Sequence, residues 1–206
     1  INGLRVKLYS GKKFIKDDKY NSFDYLMDID SKFGIKSTFN FICDKNGLYS
    51  PDYSIDNKLI KSLLLEIHQR GFYIGLHPTY NSFNNLKELS KQFLILKSIC
   101  NDLQISQKIW TSRMHYLRWK NNFTCNLLNQ IGIDVDTTLG FGDIVGFRCG
   151  TSYSYKMFDP KNRINLKIRQ QPLICMDSSL YEISYGKEIN IDSCLNKLSV
   201  IHKRIK

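Results

Sequence analysis

His77 and Asn81 are the side chains whose types and spacing most directly suggest chemistry. His77 follows an apolar run over residues 72–76, and Pro78 then removes a backbone donor. This pattern places the histidine at the carboxyl end of a buried strand. The loop turn between them could aim His77 and Asn81 at one ion, since imidazole is a common metal ligand and an amide carbonyl a weak one. The alternative is a half-buried histidine in an ordinary turn.

A second polar group follows the next predicted strand, residues 108–111. Arg113, His115 and Arg118 are therefore expected at the same edge as His77, because the carboxyl ends of parallel strands meet there. A guanidinium at this edge could stabilise a carboxylate or an oxyanion. The alternative is a basic surface turn with aromatic packing from Trp110 and Trp119.

Two other motifs could carry chemistry. Asp28 and Asp30 form a DxD pair of the kind found in metal-dependent glycosyltransferases, but they fall within a predicted helix, about 200° apart around its axis. We interpret them as a solvated helix surface. Cys149, between Arg148 and Gly150, is the cysteine whose surroundings best suit a nucleophile.

Helices and strands alternate along the chain, with glycines between them. The predicted helices cover residues 22–33, 57–69, 86–103 (with Asn81 or Ser82 near its start), 123–131 and 190–205. The predicted strands cover residues 35–42, 72–76, 108–111 and 133–138, with a further candidate at 172–176. Residues 1–20 are predicted to be a polar arm, 140–155 a glycine-rich loop with short β pieces, and 160–169 a basic loop. This order predicts an α/β fold with parallel neighbouring strands and with His77 and Arg113 on one rim.

Composition limits the classes of protein that the chain can belong to. At 206 residues and 42% hydrophobic, it predicts a single domain. No stretch approaches the ~20 apolar residues of a membrane span, and no signal peptide is apparent. The net charge of +11 comes from scattered lysines, which does not favour nucleic-acid binding. Six irregularly spaced cysteines predict free thiols and a cytoplasmic location.

Five blocks, taken in this order, resemble a known family. "GIKSTFNFI", "RGFYIGLHPTYNS", "SRMHYLRW", "GIDVDTTLGFGDIVGFRCGT" and "ICMDSSLYE" are similar to the polysaccharide deacetylase (NodB-homology) superfamily. The nearest match is a bacterial branch often found near genes for cell-surface polysaccharides. The resemblance runs from about Asp17 to about Gly186, and the second, third and fourth blocks are its most specific parts.

The resemblance implies a partial or deformed (β/α) barrel that binds a divalent metal, usually Zn²⁺, and removes N-acetyl groups from a carbohydrate substrate. His77 and Asn81 match the family's H-x-x-x-H motif, so the second ligand position is changed. Arg113 and Tyr116 match its R-x-P-Y loop, in which His115 replaces the proline and could serve as a substitute ligand.

The same resemblance implies roles for further side chains. The candidate catalytic residues are Arg113, His115, Asp136, Asp143 and Arg148. The candidate substrate-binding residues are Tyr80, Tyr116, Arg118 and Trp119. The loop over residues 140–150 is expected to bring Asp143 and Arg148 over the metal site.

Two family motifs have no counterpart in the chain. The first, which carries the catalytic base and a metal-binding aspartate, is expected upstream of Ile1, and the last, an apolar strand ending in Leu-x-His, is expected beyond Lys206. The chain is therefore expected to be truncated at both ends. Three functions compete: a metal-dependent carbohydrate N-deacetylase, an altered member that binds sugar or acts on another acyl group, and a basic α/β binding module.

Overall fold

A computed structural model describes residues 21–45, 49–181 and 190–205. Within these ranges the strands form one six-stranded sheet in the order β1-β2-β3-β4-β6-β5. The strands are β1 (Thr38–Phe41), β2 (Tyr73–Leu76), β3 (Thr111–Ser112), β4 (Val135–Asp136), β5 (Tyr155–Asp159) and β6 (Ile164–Gln170). The predicted polar arm, residues 1–20, lies outside the described residues.

In the described ranges, four α-helices alternate with the first four strands, and two more follow β6. They are α1 (Phe23–Lys32), α2 (Lys58–Gln69), α3 (Leu86–Asp102), α4 (Thr124–Ile131), α5 (Asp177–Tyr181) and α6 (Ile191–Ile205). Asn57 caps α2, where its Oδ1 accepts the Leu59 N–H at 2.9 Å. Gly132 ends α4 with φ +88°, a left-handed conformation that glycine adopts without strain.

Strands β1 to β4 are parallel neighbours in chain order. Their last residues are in register, Phe41 with Leu76, Leu76 with Ser112, and Ser112 with Asp136. The prediction of an α/β fold with a mostly parallel sheet is therefore confirmed, and so is the predicted order of these neighbours.

Several element boundaries differ from the prediction. Strand β3 begins at Thr111, where the predicted strand over 108–111 ends. Helix α3 begins at Leu86 and is capped by Asn85, whose Oδ1 accepts the Glu88 N–H at 3.2 Å. Asn81 instead precedes a separate 3₁₀ turn, Ser82–Asn84. The side-chain cap at Asn85, not the earlier polar residues, sets the start of the helix.

The prediction of a basic loop over residues 160–169 is wrong. The segment contains β6, which pairs antiparallel with β5 and parallel with β4. Leu166, Ile168 and Gln170 are buried, while Lys167 is exposed and Arg169 is half-buried. The basic residues are thus the outward half of an alternating strand. The predicted strand over 172–176 is also wrong, because this segment has no regular structure before α5.

The two faces of the parallel sheet have different surroundings. One face packs on a hydrophobic core, whose fully buried members include Ile74, Leu76 and Ile168 from the strands and Leu64, Leu96 and Leu128 from the helices. On the other face Asn40, Gly75 and Thr111 stand side by side in register. Gly75 has no side chain, and the neighbouring Asn40 and Thr111 side chains occupy the space that one would fill.

The remaining predictions concern single side chains and membrane helices. All six cysteines are free thiols, as predicted. Asp28 lies on α1 and binds Arg70, so the DxD pair belongs to a helix surface. Cys149 is half-buried, with its Sγ 3.8 Å from the Leu139 carbonyl oxygen. Within the described ranges, every helix is too short or too polar to span a lipid bilayer.

Candidate functional site

The carboxyl rim of the sheet brings together residues that follow successive strands. The His77 N–H donates to the Phe41 carbonyl at 2.8 Å, and the Arg113 N–H donates to the Leu76 carbonyl at 3.0 Å. Each residue therefore continues the ladder by one step beyond its strand. The prediction that His77 and Arg113 lie on one rim is confirmed.

His77 and His115 face each other at this rim. Their ring centroids lie 5.0 Å apart, with 50° between the ring planes. His115 comes from a 3₁₀ turn, His115–Leu117, which follows β3. Its Nδ1 is buried and has no hydrogen-bond partner among the described residues. A buried polar atom of this kind is rare in folded proteins and indicates a place where a water, ion or ligand can bind.

Burial keeps both imidazoles neutral. Burial, together with the nearby His115 ring, lowers the pKa of His77 to about 4. Burial also lowers the pKa of His115. Because the neutral ring has a free nitrogen lone pair, both side chains are in the form that can coordinate a metal at neutral pH.

The low pKa of His77 should make the metal-free protein sensitive to acid. The unfolded chain takes up a proton near the ordinary pKa of 6.5, whereas folded His77 resists protonation down to about 4. This contribution to stability is complete above the unfolded pKa and is lost as the pH falls toward the folded one. Because the unfolded chain takes up this proton, we expect the free energy of unfolding to fall by roughly 2 kcal/mol between pH 7 and pH 5 on account of His77 alone.

Urea denaturation in EDTA at several pH values measures this loss. His77→Gln should remove most of the pH dependence in that window, and His202→Gln, at an exposed site on α6, should leave it unchanged. If the free energy of unfolding falls equally with pH in the His77→Gln variant and in the unchanged chain, the prediction is wrong.

Asp136, a predicted catalytic residue, is fully buried at the end of β4. Its carboxylate accepts hydrogen bonds from Ser112 Oγ at 2.9 Å, Thr138 Oγ1 at 2.7 Å and the Thr138 N–H at 2.8 Å. Burial raises the pKa of Asp136, and these hydrogen bonds oppose the rise. Thr138 Oγ1 also accepts the Met114 N–H at 2.9 Å. Asp136 thus positions the segment that carries His115.

Arg113 is braced against the end of β4. Its Nε donates to the Thr137 Oγ1 at 3.1 Å and to the Thr137 carbonyl at 3.3 Å. Burial lowers the pKa of Arg113, while the neighbouring Asp136 opposes the shift. The guanidinium is therefore oriented by the same strand end that holds Asp136.

Asn81, the predicted second metal ligand, is exposed and contacts Arg118. Its Oδ1 accepts a hydrogen bond from Arg118 Nη1 at 3.0 Å, and the same nitrogen donates to the Tyr80 carbonyl at 2.8 Å. The Arg118 guanidinium lies 4.0 Å from the Tyr80 ring centroid and 4.1 Å from that of Phe83. Arg118 thus acts as a brace for this loop, and the partly buried Trp119 packs on the hydrophobic core.

The loop over residues 140–150 contains the last two predicted catalytic residues. Arg148 Nη1 donates to the Gly140 carbonyl at 2.9 Å, so this arginine binds back to its own loop. Asp143 is exposed. The structure gives neither residue a contact with the histidine pair, and their roles stay predictions.

An aromatic cluster borders the histidine pair. Tyr116 lies 4.8 Å from both Tyr49 and His115, and Tyr80 lies 5.1 Å from Tyr49 and 5.5 Å from Tyr116, measured between ring centroids. The sequence indicated Tyr80 and Tyr116 but not Tyr49, which reaches the site from the segment after β1. No spacing or motif around Tyr49 marks it in the sequence.

Neither the donor groups around the site nor comparison with known proteins identifies what the site holds. In the part of the chain that the structure describes, no three His, Cys, Asp or Glu side chains form a group able to hold a metal ion. No protein-family model, curated protein or solved structure matches the chain.

Proposed function

We propose that this chain belongs to a metal-dependent carbohydrate N-deacetylase of the polysaccharide deacetylase type. The observation that carries the proposal is the pair of neutral imidazoles, His77 and His115, at the carboxyl rim of a parallel sheet. The unpartnered Nδ1 of His115 adds a donor or acceptor that a bound ion or ligand would satisfy. The sequence blocks that resemble this superfamily contain both histidines.

The strand order is compatible with the deformed (β/α) barrel of that superfamily. Strands β1 to β4 are added one after another in the same direction, joined by α2, α3 and α4. Because such crossovers are right-handed, they place all three helices on one face of the sheet. A parallel sheet normally has both faces covered or closes on itself. We therefore propose that these strands are part of a barrel.

The residues present fit a divalent metal in part. His77 and His115 would hold Zn²⁺ through neutral ring nitrogens, whereas the Asn81 oxygen is already bonded to Arg118. When bound, the metal would polarise an amide carbonyl and make a water acidic enough to attack it. Arg113, oriented by Thr137, would face the substrate. The resemblance also requires a carboxylate base, and we assign that role to none of the described residues.

Two tests follow from this proposal. Two imidazoles without a carboxylate make a weak set, so the 206-residue chain by itself should bind Zn²⁺ poorly and release no acetate. The chain with its natural flanking sequence should bind Zn²⁺ stoichiometrically and release acetate from N-acetylated chito-oligosaccharides. In that protein His77→Ala should weaken zinc binding by roughly 100-fold or more and abolish acetate release.

His202→Ala is the matched control, since His202 is exposed on α6, and it should leave both measurements unchanged. The proposal fails if the extended protein carries no stoichiometric metal. It fails equally if His77→Ala leaves zinc content and acetate release as they were.

A second candidate function is sugar binding without deacetylation. The interaction that favours it is the hydrogen bond between Asn81 Oδ1 and Arg118, which uses the oxygen at the position where the family has a second histidine ligand. Binding of chito-oligosaccharides by the extended protein, without bound metal and without acetate release, would support this function over the first.

A further inference from the structure

Helix α6 exposes a row of aliphatic side chains, which we call the α6 stripe: Ile191, Leu195, Leu198 and Ile205. With about 100° of rotation per residue, these four side chains fall within an arc of about 80° around the helix axis. Ile191 is 67% exposed and Leu195 is 57% exposed, and Leu198 and Ile205 are also exposed. Because a surface helix normally buries its apolar face, an exposed row of this kind marks an interaction surface.

The helix is attached to the rest of the described structure along the neighbouring edge. Cys194 and Ile201 are both buried, about 60° and 80° from Ile191 around the axis. Cys194 Sγ donates to the Leu180 carbonyl at 3.4 Å, and Lys197 Nζ donates to the same oxygen at 3.4 Å. These contacts with α5 fix the rotation of α6 about its own axis, and they leave the α6 stripe in solvent.

The positive charge of α6 is concentrated toward its carboxyl end. Lys203 and Arg204 are exposed, and within the described ranges neither forms an ion pair with a carboxylate. They project on opposite sides of the α6 stripe, about 120° and 140° from Ile191. Asp192, in the first turn, is the acidic residue of the helix. An apolar stripe with cations on both sides is typical of helices that lie in the interface of an anionic membrane.

Charge complementarity distinguishes the possible occupants of this surface. The chain has a net charge of +11, so a second copy would be repelled, whereas an anionic lipid surface would attract the chain. A nucleic acid would also attract the cations, but its phosphates would leave the aliphatic side chains in water. An anionic bilayer suits both parts of the surface, because its acyl chains bury the α6 stripe while its head groups pair with the cations.

We propose that α6 docks the protein on the surface of an anionic phospholipid membrane. The α6 stripe lies at the boundary between head groups and acyl chains, and the helix lies in the plane of the interface without crossing the bilayer. Lys203 and Arg204 extend to the phosphate groups of the lipids. This inference does not depend on the proposed deacetylase function, because α6 contains none of the residues of that site.

Sedimentation of the 206-residue chain with lipid vesicles tests the docking. The vesicles consist of phosphatidylcholine alone or of phosphatidylcholine mixed with phosphatidylglycerol. At about 0.1 M salt, we expect the protein to bind the mixed vesicles and not the neutral ones. Raising the salt to about 1 M should weaken this binding by roughly tenfold or more. Leu195→Ser and Lys203→Glu should each weaken binding to the mixed vesicles by roughly tenfold.

Leu94→Ser and Lys87→Glu are the matched controls, at exposed positions on α3. They make the same chemical changes away from α6, so they should bind the mixed vesicles within about twofold of the unchanged chain. All four variants should melt at the temperature of the unchanged chain, because the substituted side chains are exposed. The binding losses at Leu195 and Lys203 therefore report on docking and not on folding.

Several results would overturn the proposal. The electrostatic argument fails if the chain binds neutral and mixed vesicles equally, or binds neither, and the apolar argument fails if Leu195→Ser binds normally. Analytical ultracentrifugation without vesicles tests the second copy: a dimer that Leu195→Ser converts to a monomer would make the α6 stripe an interface between copies. Binding of double-stranded DNA that Lys203→Glu weakens and Leu195→Ser does not would assign the cations to nucleic acid instead.

Discussion

Asp136→Ala is expected to lower the free energy of unfolding by about 4 kcal/mol. The side chain is fully buried and accepts hydrogen bonds from Ser112 Oγ, Thr138 Oγ1 and the Thr138 N–H. Removing the carboxylate leaves these three buried donors unpaired and opens a small cavity between β3 and β4. Each unpaired donor costs roughly 1–3 kcal/mol, although the costs do not simply add.

Urea denaturation at pH 7 measures this loss, and Asp143→Ala, at an exposed aspartate, is the matched control. A double-mutant cycle with Ser112→Ala should show coupling, because the two side chains share a hydrogen bond of 2.9 Å. A loss below about 1 kcal/mol for Asp136→Ala would show that the buried carboxylate contributes little to stability.

The second large effect is expected at Gly75. A Cβ atom there would lie 2.1 Å from Asn40 Oδ1, 2.4 Å from Thr111 Oγ1 and 2.9 Å from Thr38 Cγ2. The threonine hydroxyl cannot move far, because β-branched side chains have few alternative rotamers on a strand. We therefore expect Gly75→Ala to cost about 3 kcal/mol through overpacking on this face of the sheet.

Gly142→Ala is the matched control, since a Cβ atom at Gly142 meets nothing within 4 Å. Chemical denaturation of the Gly75→Ala, Asn40→Ala and doubly substituted chains tests the cause. Removing the Asn40 amide should restore part of the stability lost at Gly75. Equal stabilities for Gly75→Ala and Gly142→Ala would rule out the steric explanation.

Local signals in the sequence were sufficient to predict the parallel half of the fold. Gly71 and Gly132 follow their helices with φ of +80° and +88°, which is why glycine marks these ends. Pro78 ends the apolar run that becomes β2, so His77 could be assigned to a strand end. The same reasoning placed Arg113 at the carboxyl end of the next strand.

These local signals did not predict the β5–β6 hairpin. Its second strand alternates buried Leu166 and Ile168 with Lys167 and Arg169, and the basic residues dominate the local composition. Pairing with β4 on one side and β5 on the other makes this segment a strand. Strand propensity depends on such neighbours more than on the segment itself.

The sequence by itself determined the helix–strand alternation, the parallel order of β1 to β4 and the rim on which His77 and Arg113 lie. Only the tertiary structure decided that His115 faces His77, that Asn81 binds Arg118 and that Tyr49 joins the aromatic cluster beside the histidine pair. The physical reason is the range of the interactions. Alternation and helix ends depend on contacts within a few residues, whereas each side-chain partnership at the site joins segments that are distant in the chain, for example His77 with His115.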